Sequence, residues 1–213
     1  YFETLRGTAS TDAHEQRVAE RRDTLVGYHD LALDAHGARL LRPGMAVTLD
    51  GIAKGHVVDQ GIAALRGAGI EYGLIDAGGD IHAICGNDPQ RHWNVGIVDP
   101  RDVSRVAAVL QLRNAALSTS GNYRVFFSAD RRLFHIVNPR TGWSPQSYSS
   151  VTVMAQRSVL ADGMSTAAFS LELPQLSALM AAQDHQWLAF SRTGEKRWRS
   201  RELPLIAGTA ELA

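Results

Sequence analysis

The stretch SVTVMAQRSVLADGMSTAAF, residues 150–169, changes its hydrophobic period halfway along. Its first six residues alternate between polar and apolar side chains, which is typical of a β-strand with one buried face. From Ser158 onwards the apolar side chains are spaced as on one face of a helix, which predicts a helix over residues 158–172. The stretch therefore predicts a strand followed directly by a helix.

On either side of this stretch, the sequence predicts two more helices and a series of short strands. One helix follows Asp50 and ends at the Gly-Ala-Gly of residues 67–69, and another begins near Pro174. A hairpin is predicted over residues 124–137. The remaining strands are predicted at residues 29–34, 38–41, 45–49, 72–77, 81–85, 93–98, 106–112, 115–119 and 187–192, the last of which is expected to close the sheet.

This order of elements predicts an α+β fold with mixed, largely antiparallel sheets and a few packed helices. The polar residues 8–26 carry few apolar anchors and predict a surface helix. We therefore expect an N-terminal helical remnant over residues 1–27 and one domain over residues 28–213.

The composition of the chain restricts its binding partners. Of its 213 residues, 22 are Lys or Arg and 22 are Asp or Glu, so no net charge attracts it to nucleic acid. Cys85 is the single cysteine, which excludes an internal disulfide and favours a buried apolar role. No apolar run reaches the roughly 20 residues that a transmembrane helix needs. We expect no nucleic-acid partner and no membrane-spanning segment in this chain.

Lys54 lies in the first turn of the helix that follows Asp50. The positive end of the helix dipole disfavours a cation there by a few tenths of a kcal/mol, so a nearby anion is expected. The free N–H groups of the same turn would bind a phosphate group. The alternative is a solvated lysine that tolerates the dipole.

Asp162 and Thr166 are four residues apart in the helix predicted from Ser158, so both side chains lie on one helix face. Ser165 is adjacent. Carboxylate and hydroxyl oxygens are ligands that Mg²⁺ accepts. The alternative is an aspartate in the N-terminal turn of the helix and a threonine bonded to its own backbone.

Three further motifs are candidate parts of a site. Gly78 and Gly79 would let the backbone approach a pyrophosphate closely, although a tight turn explains them equally well. The small-residue stretch STSGNY, residues 118–123, predicts a loop rich in hydroxyl donors. His135 is predicted on a strand that enters an Asn-Pro-Arg-Thr-Gly turn. A GxSxG esterase motif and a zinc-hydrolase His pair are both absent from the sequence.

The order of these motifs resembles the ApbE family of FAD:protein FMN transferases. The matching blocks are LDGIAKGHVVD, LIDAGGDI, STSGNY, HIVNPRTGWSP and SVTVMAQRSVLADGMSTAAF, within residues 25–192. The resemblance implies an enzyme that uses FAD and Mg²⁺, transfers FMN to a Thr or Ser hydroxyl of a target flavoprotein, and releases AMP. Such a reaction is phosphoryl transfer, which needs a divalent ion and positioned donors around the phosphates.

The resemblance also implies roles for individual residues. As metal ligands it implies Gly51 through its carbonyl, Asp162, Ser165 and Thr166. It assigns catalysis to Asp162 and to His135, which would activate or position the acceptor hydroxyl. Contacts with FAD are implied for Thr48, Lys54, Gly78, Gly79, Ser120, Gly121 and Ile136.

Two residues depart from the family pattern. Thr48 stands where many members have an aspartate, and Asn138 replaces the usual aspartate after the histidine. Family members also carry an additional N-terminal region, so part of the flavin pocket is expected to be missing here. The resemblance implies a location in the bacterial periplasm or at the extracytoplasmic face of the inner membrane.

Three alternative functions stay open at this point. The first is an Mg²⁺-dependent hydrolase that splits FAD into FMN and AMP. The second is a flavin carrier without catalytic activity, and the third is a partner-binding domain without a ligand.

Overall fold

The computed structural model describes residues 12–206. They form two compact units, one of residues 12–48 and 124–145 and one of residues 49–123 and 146–206. No helix in that range is long and apolar enough to cross a lipid bilayer. The domain division predicted after residue 27 stays a prediction.

The first unit contains helix α1 (Asp12–Leu25), a 3-10 turn (Tyr28–Asp30) and the hairpin of β1 (Leu31–Asp34) and β2 (Gly37–Leu40). The Asp34 carboxylate accepts the N–H groups of His36 and Gly37, which closes the hairpin turn. Residues 8–11 of the predicted surface helix lie outside the described residues. The rest of that prediction is confirmed by α1.

The second unit contains three helices and eight strands. In chain order these are α2 (Ala53–Gly67), β3 (Tyr72–Asp76), β4 (Asp80–Cys85), β5 (Trp93–Asp99), β6 (Asp102–Leu112), β7 (Ala115–Gly121), β8 (Tyr148–Ala155), α3 (Ser158–Phe169), α4 (Leu173–Ala182), β9 (Gln186–Ser191) and β10 (Arg197–Arg199). Six of the strands form one sheet in the order β10-β9-β8-β7-β4-β3, and every neighbouring pair is antiparallel.

The two faces of this sheet carry different residues because strand side chains alternate. Apolar side chains such as Ile81 and Leu117 pack against the β5–β6 hairpin in the main core. The opposite face packs against α2 and α3 and carries Asp80 and Ser118, which are paired across β4 and β7. This polar stretch of a buried sheet face is where the candidate site lies.

The α+β prediction and the helices predicted after Asp50, from Ser158 and near Pro174 are confirmed. Cys85 is buried in β4, as expected. The predicted strand at residues 45–49 is wrong, because this segment has no partner strand and continues into the turn before α2. The sheet does not end at β9, because the unpredicted β10 pairs with it.

The predicted hairpin over residues 124–137 is reduced to one bridge between Phe126 and Phe134. Side chains occupy the backbone donors that a longer ladder would need, because Asp130 accepts from the N–H of Arg132 and Ser128 Oγ from that of Leu133. His135 consequently lies in a bend after the bridge rather than on a strand.

Candidate active site

Helices α2 and α3 approach each other closely at Gly55. A Cβ atom at this position would overlap the carbonyl oxygen of Ser158 and lie 2.8 Å from Asp162 Cβ. Only glycine therefore fits where α2 meets α3. The contact places the first turn of α2 beside the Asp162 side chain.

Asp162 is buried, with 4% of its surface exposed, and its Oδ2 accepts the backbone N–H of Gly55 at 2.9 Å. That N–H belongs to the first turn of α2, where backbone donors have no partner inside the helix. The carboxylate thus caps a helix of a neighbouring segment and lies at its positive end. Asp162 therefore bonds to the first turn of α2 rather than to that of its own helix α3.

Three hydroxyl groups form a connected cluster around the same face of α3. Ser120 Oγ lies 2.9 Å from Ser165 Oγ and 3.0 Å from Thr166 Oγ1. Ser165 Oγ donates to the carbonyl of Asp162 at 3.0 Å. The structure therefore brings four of the predicted site residues together, one from the sheet and three from the helix.

Lys54 has an anionic partner, as its position in the first turn of α2 predicts. Its Nζ forms an ion pair with Oδ2 of Asp80, which is buried, while the other Asp80 oxygen accepts from Ser118 Oγ. Ser118 Oγ also lies 3.4 Å from Ser165 Oγ. The ion pair is thereby connected to the hydroxyl cluster beside Asp162.

The surroundings of Asp162 disfavour its charged form. Burial raises the pKa of this carboxyl most, and the negative charge of Asp80 raises it further. The Gly55 N–H and the Lys54 ammonium act in the opposite direction without cancelling the increase. A cation in addition to Lys54 would relieve this excess of buried negative charge.

The donor atoms fit a hard divalent cation better than a soft one. Within residues 12–206, no group of three or more His, Cys, Asp and Glu side chains could hold a metal. The oxygens near Asp162 are instead hydroxyls, which Mg²⁺ accepts together with waters and phosphate oxygens. Gly51 is close by, since a Cβ atom at this residue would lie 3.4 Å from Thr166 Cγ2. The residues present therefore fit the predicted Mg²⁺ site.

Three of the predicted nucleotide contacts in the second unit, Gly78, Gly79 and Gly121, are not part of this cluster. Gly78 and Gly79 form the tight β3–β4 turn, with positive φ angles of 71° and 101° and open space where a Cβ would lie. Gly121 ends β7 and packs against the ring of Tyr123. Residues 118–121 belong to β7, so the prediction that they form a loop is wrong. Thr48, His135 and Ile136 belong to the first unit.

Sequence reasoning missed Asp80 as a site residue, along with Asp59 and His82. Asp80 and His82 alternate with apolar residues along β4, so they share one face of a strand that is buried throughout. A charged and a titratable side chain on one face of an otherwise apolar strand was the available signal.

A cavity of about 500 Å³ lies elsewhere in the second unit. It is lined by residues of α4, β9 and β10, among them Trp187 and Trp198. None of its lining residues belongs to the cluster around Asp162. This cavity and the polar cluster around Asp162 are therefore separate.

The chain is similar in sequence to the ApbE family and to FAD:protein FMN transferases. The model of the ApbE family matches residues 4–190. The chain is 33% identical over 164 residues to the FAD:protein FMN transferase of Haemophilus influenzae, covering 73% of this chain and 47% of that protein. It is 34% identical over 156 residues to that of Treponema pallidum, covering 68% and 43%. The chain thus spans about half the length of these relatives.

Solved structures resemble the fold over most of the chain. The ApbE protein of Thermotoga maritima superposes with a TM-score of 0.80 at 26% identity, covering 94% of this chain and 64% of that one. The flavin transferase ApbE of Vibrio cholerae gives a TM-score of 0.75 at 27% identity, covering 91% and 62%.

Proposed function

The chain belongs to the ApbE family, and we propose that it transfers FMN from FAD to a Thr or Ser hydroxyl of a target flavoprotein in an Mg²⁺-dependent reaction that releases AMP. The observation that carries the proposal is the buried Asp162 carboxylate on the helix face that also carries the hydroxyls of Ser165 and Thr166, both of which contact Ser120 Oγ. A buried carboxylate is costly unless a positive charge or hydrogen bonds compensate it, and carboxylate and hydroxyl oxygens are ligands that Mg²⁺ accepts.

The proposed reaction is a substitution at the phosphorus atom that carries the riboflavin. The acceptor oxygen forms a bond to this phosphorus, and the bond from the phosphorus to the bridging oxygen of the pyrophosphate breaks. AMP leaves with that oxygen, and the hydroxyl proton passes to a base. The main requirement on the protein is therefore to position the groups and to stabilise negative charge.

The residues of the second unit meet this requirement as follows. Asp162, Ser165, Thr166 and the Gly51 carbonyl would hold Mg²⁺, which neutralises phosphate charge when it is bound. The ammonium of Lys54 is held by Asp80 at the start of α2, where the helix dipole also favours an anion. We propose that this end of α2 faces the phosphates of FAD.

His135 is proposed as the group that activates or positions the acceptor hydroxyl, on the strength of the family resemblance. Its substitution by Asn should lower the rate of transfer while leaving the affinity for Mn²⁺ unchanged. A variant that loses both the transfer rate and the affinity for Mn²⁺ would contradict a role of His135 that is confined to the acceptor hydroxyl.

A periplasmic location is likewise a proposal from the family alone. Fractionation of cells that express the full-length gene tests it, with a cytoplasmic and a periplasmic marker protein as references. Recovery of the protein with the cytoplasmic marker would overturn it.

The function is tested by incubating the protein with FAD, Mg²⁺ and a flavoprotein domain as acceptor. Intact-mass spectrometry of the acceptor should show the addition of one FMN, and chromatography should show an equal amount of AMP. Asp162→Asn should abolish both products. Asp102→Asn, which changes an exposed aspartate that bonds to Ser104, is the matched control and should retain them.

The balance of products separates transfer from hydrolysis. AMP and free FMN without a modified acceptor would support the hydrolase instead. Tight FAD binding without AMP would support a carrier, and both results would contradict the proposed transferase.

A further inference from the structure

Helices α2 and α3 cap each other. Neither helix has a side-chain cap from its own N-terminal residue, Ile52 or Arg157. Asp162 of α3 instead accepts the N–H of Gly55 in the first turn of α2. In return, Asp59 of α2 accepts the N–H groups of Ser158 and Val159, which begin α3, at 2.7 and 3.2 Å. Each helix therefore supplies the acceptor that the other lacks.

The reciprocal caps fix the register of the two helices. Gly55 and Asp59 are four residues apart on α2, and Ser158 and Asp162 are four residues apart on α3, so each pair lies on one helix face. The partners run in opposite order, with Gly55 opposite Asp162 and Asp59 opposite Ser158. Two contacts one turn apart prevent sliding, which a single contact would allow.

Strand β4 adds a third element through His82. Its Nδ1 lies 3.0 Å from Ser158 Oγ and 3.3 Å from Asp59 Oδ1. His82 is buried, and its Nε2 has no hydrogen-bond partner among the described residues. His82 lies two residues after Asp80 and on the same face of the strand. Asp80 forms the ion pair with Lys54 of α2. Strand β4 therefore contacts α2 at two points.

The arrangement is not a nucleophilic triad. In such a triad the carboxylate and the hydroxyl bind opposite nitrogens of the imidazole. Here Asp59 and Ser158 both approach Nδ1. Asp59 is also committed to two backbone donors of α3, so the geometry favours positioning over catalysis.

We propose that Asp59 and His82 are positioning residues that hold α2 against α3 at the register that the Gly55–Asp162 contact requires, and that they thereby set the affinity of the site for a divalent cation. The first part depends only on the contacts described above. The second part rests on the proposed metal-dependent function.

The register is tested in the full chain by hydrogen exchange of individual amides, followed by NMR. Asp59→Asn should increase the exchange rate of the Gly55 amide about tenfold relative to that of Val153 in the central strand β8. Asp102→Asn is the matched control and should leave this ratio unchanged. An equal increase at Gly55 and Val153 would show general destabilisation and would overturn the positioning role.

Two substitutions of His82 separate its polar contact from its volume. His82→Asn keeps a polar atom near the position of Nδ1, whereas His82→Leu removes it. We expect His82→Leu to increase the exchange ratio more than His82→Asn, and His92→Leu, at an exposed histidine, to leave it unchanged. Identical ratios for both His82 variants would exclude the Nδ1 contact as the cause.

The link to the metal is tested by titration with Mn²⁺ followed by electron paramagnetic resonance, well below the melting temperature of each variant. Asp59→Asn should weaken Mn²⁺ binding by about tenfold, the lower end of what indirect supporting residues contribute. Unchanged affinity with altered Gly55 exchange would overturn the link but retain the register role. Absence of Mn²⁺ binding in the wild type would contradict both the link and the metal site of the proposed function, and the Gly55 exchange ratio would still decide the register role.

Discussion

The backbone N–H of Gly55 and the carboxylate of Asp162, which are 107 residues apart in the sequence, meet at 2.9 Å between helices α2 and α3. This contact joins the positive end of α2, where Lys54 lies, to the proposed metal ligand on α3. It depends on the missing side chain of Gly55, because the Ser158 carbonyl occupies the space of a Cβ atom.

Gly55→Ala should destabilise the protein by about 1–3 kcal/mol, the usual cost of overpacking a closely packed interface. The backbone oxygen of Ser158 cannot move aside as a flexible side chain could, so the helices must separate. Chemical denaturation measures the change. Gly67→Ala is the control in the same helix, since nothing lies within 4 Å of its Cβ position, and it should be neutral or stabilising. Equal effects of both substitutions would contradict this account of the interface.

Asp162→Asn should stabilise the metal-free protein at neutral pH. Burial and Asp80 raise the pKa of Asp162 above 3.8, so its ionised form opposes folding. We expect the melting temperature to rise by about 2–4 °C, the shift that about 1 kcal/mol produces in a protein of this size. Protonated Asp162 stabilises the folded protein most at a pH below the pKa that this residue has in the unfolded chain. This stabilisation is lost as the pH rises through the higher pKa that Asp162 has in the folded protein. The gain from the substitution should therefore vanish near pH 3.8, and a gain that persists there would argue against this cause.

The affinity for Mn²⁺ should fall in acid because a proton competes with the metal for Asp162. Below the raised pKa of this carboxyl, we expect about a tenfold loss per pH unit, which calorimetric titration at several pH values measures. Asp80→Asn removes a neighbouring negative charge and should move the loss to lower pH. A profile that moves to higher pH in this variant would contradict the electrostatic role of Asp80.

Lys54→Met should lower the free energy of unfolding by about 1–3 kcal/mol, because it leaves the buried Asp80 carboxylate without its cation. The exposed position of the ammonium keeps the effect below that of a fully buried pair. The double variant Lys54→Met/Asp80→Asn should recover most of the loss. Lys196→Met, at an exposed lysine, is the control, and additive effects in the double-mutant cycle would exclude a coupled pair.

The helices and most strands could be predicted from sequence because their hydrophobic periods are local properties. Asp162 and Thr166 could be paired for the same reason, since four residues along a helix fix a common face. The strand predicted at residues 45–49 failed because a strand also needs a partner, which a local pattern does not reveal.

The long-range contacts of the site could not be predicted in the same way. The position of Lys54 predicted a nearby anion. Which residue supplies this anion depends on how α2 packs against β4, which carries Asp80. The capping of α3 by Asp59 depends on the register of two helices that are distant in sequence. Such contacts follow from tertiary packing, which overrides local propensity.

The metal site around Asp162 can be tested by Mn²⁺ binding to the wild type and to Asp162→Asn, followed by electron paramagnetic resonance with Mg²⁺ as the competitor. We expect one bound Mn²⁺ per wild-type chain, displaced by Mg²⁺, and binding that is weaker by about tenfold or more in the variant. Equal affinity of the two proteins for Mn²⁺ would contradict the assignment of Asp162 and its hydroxyl neighbours as the metal site.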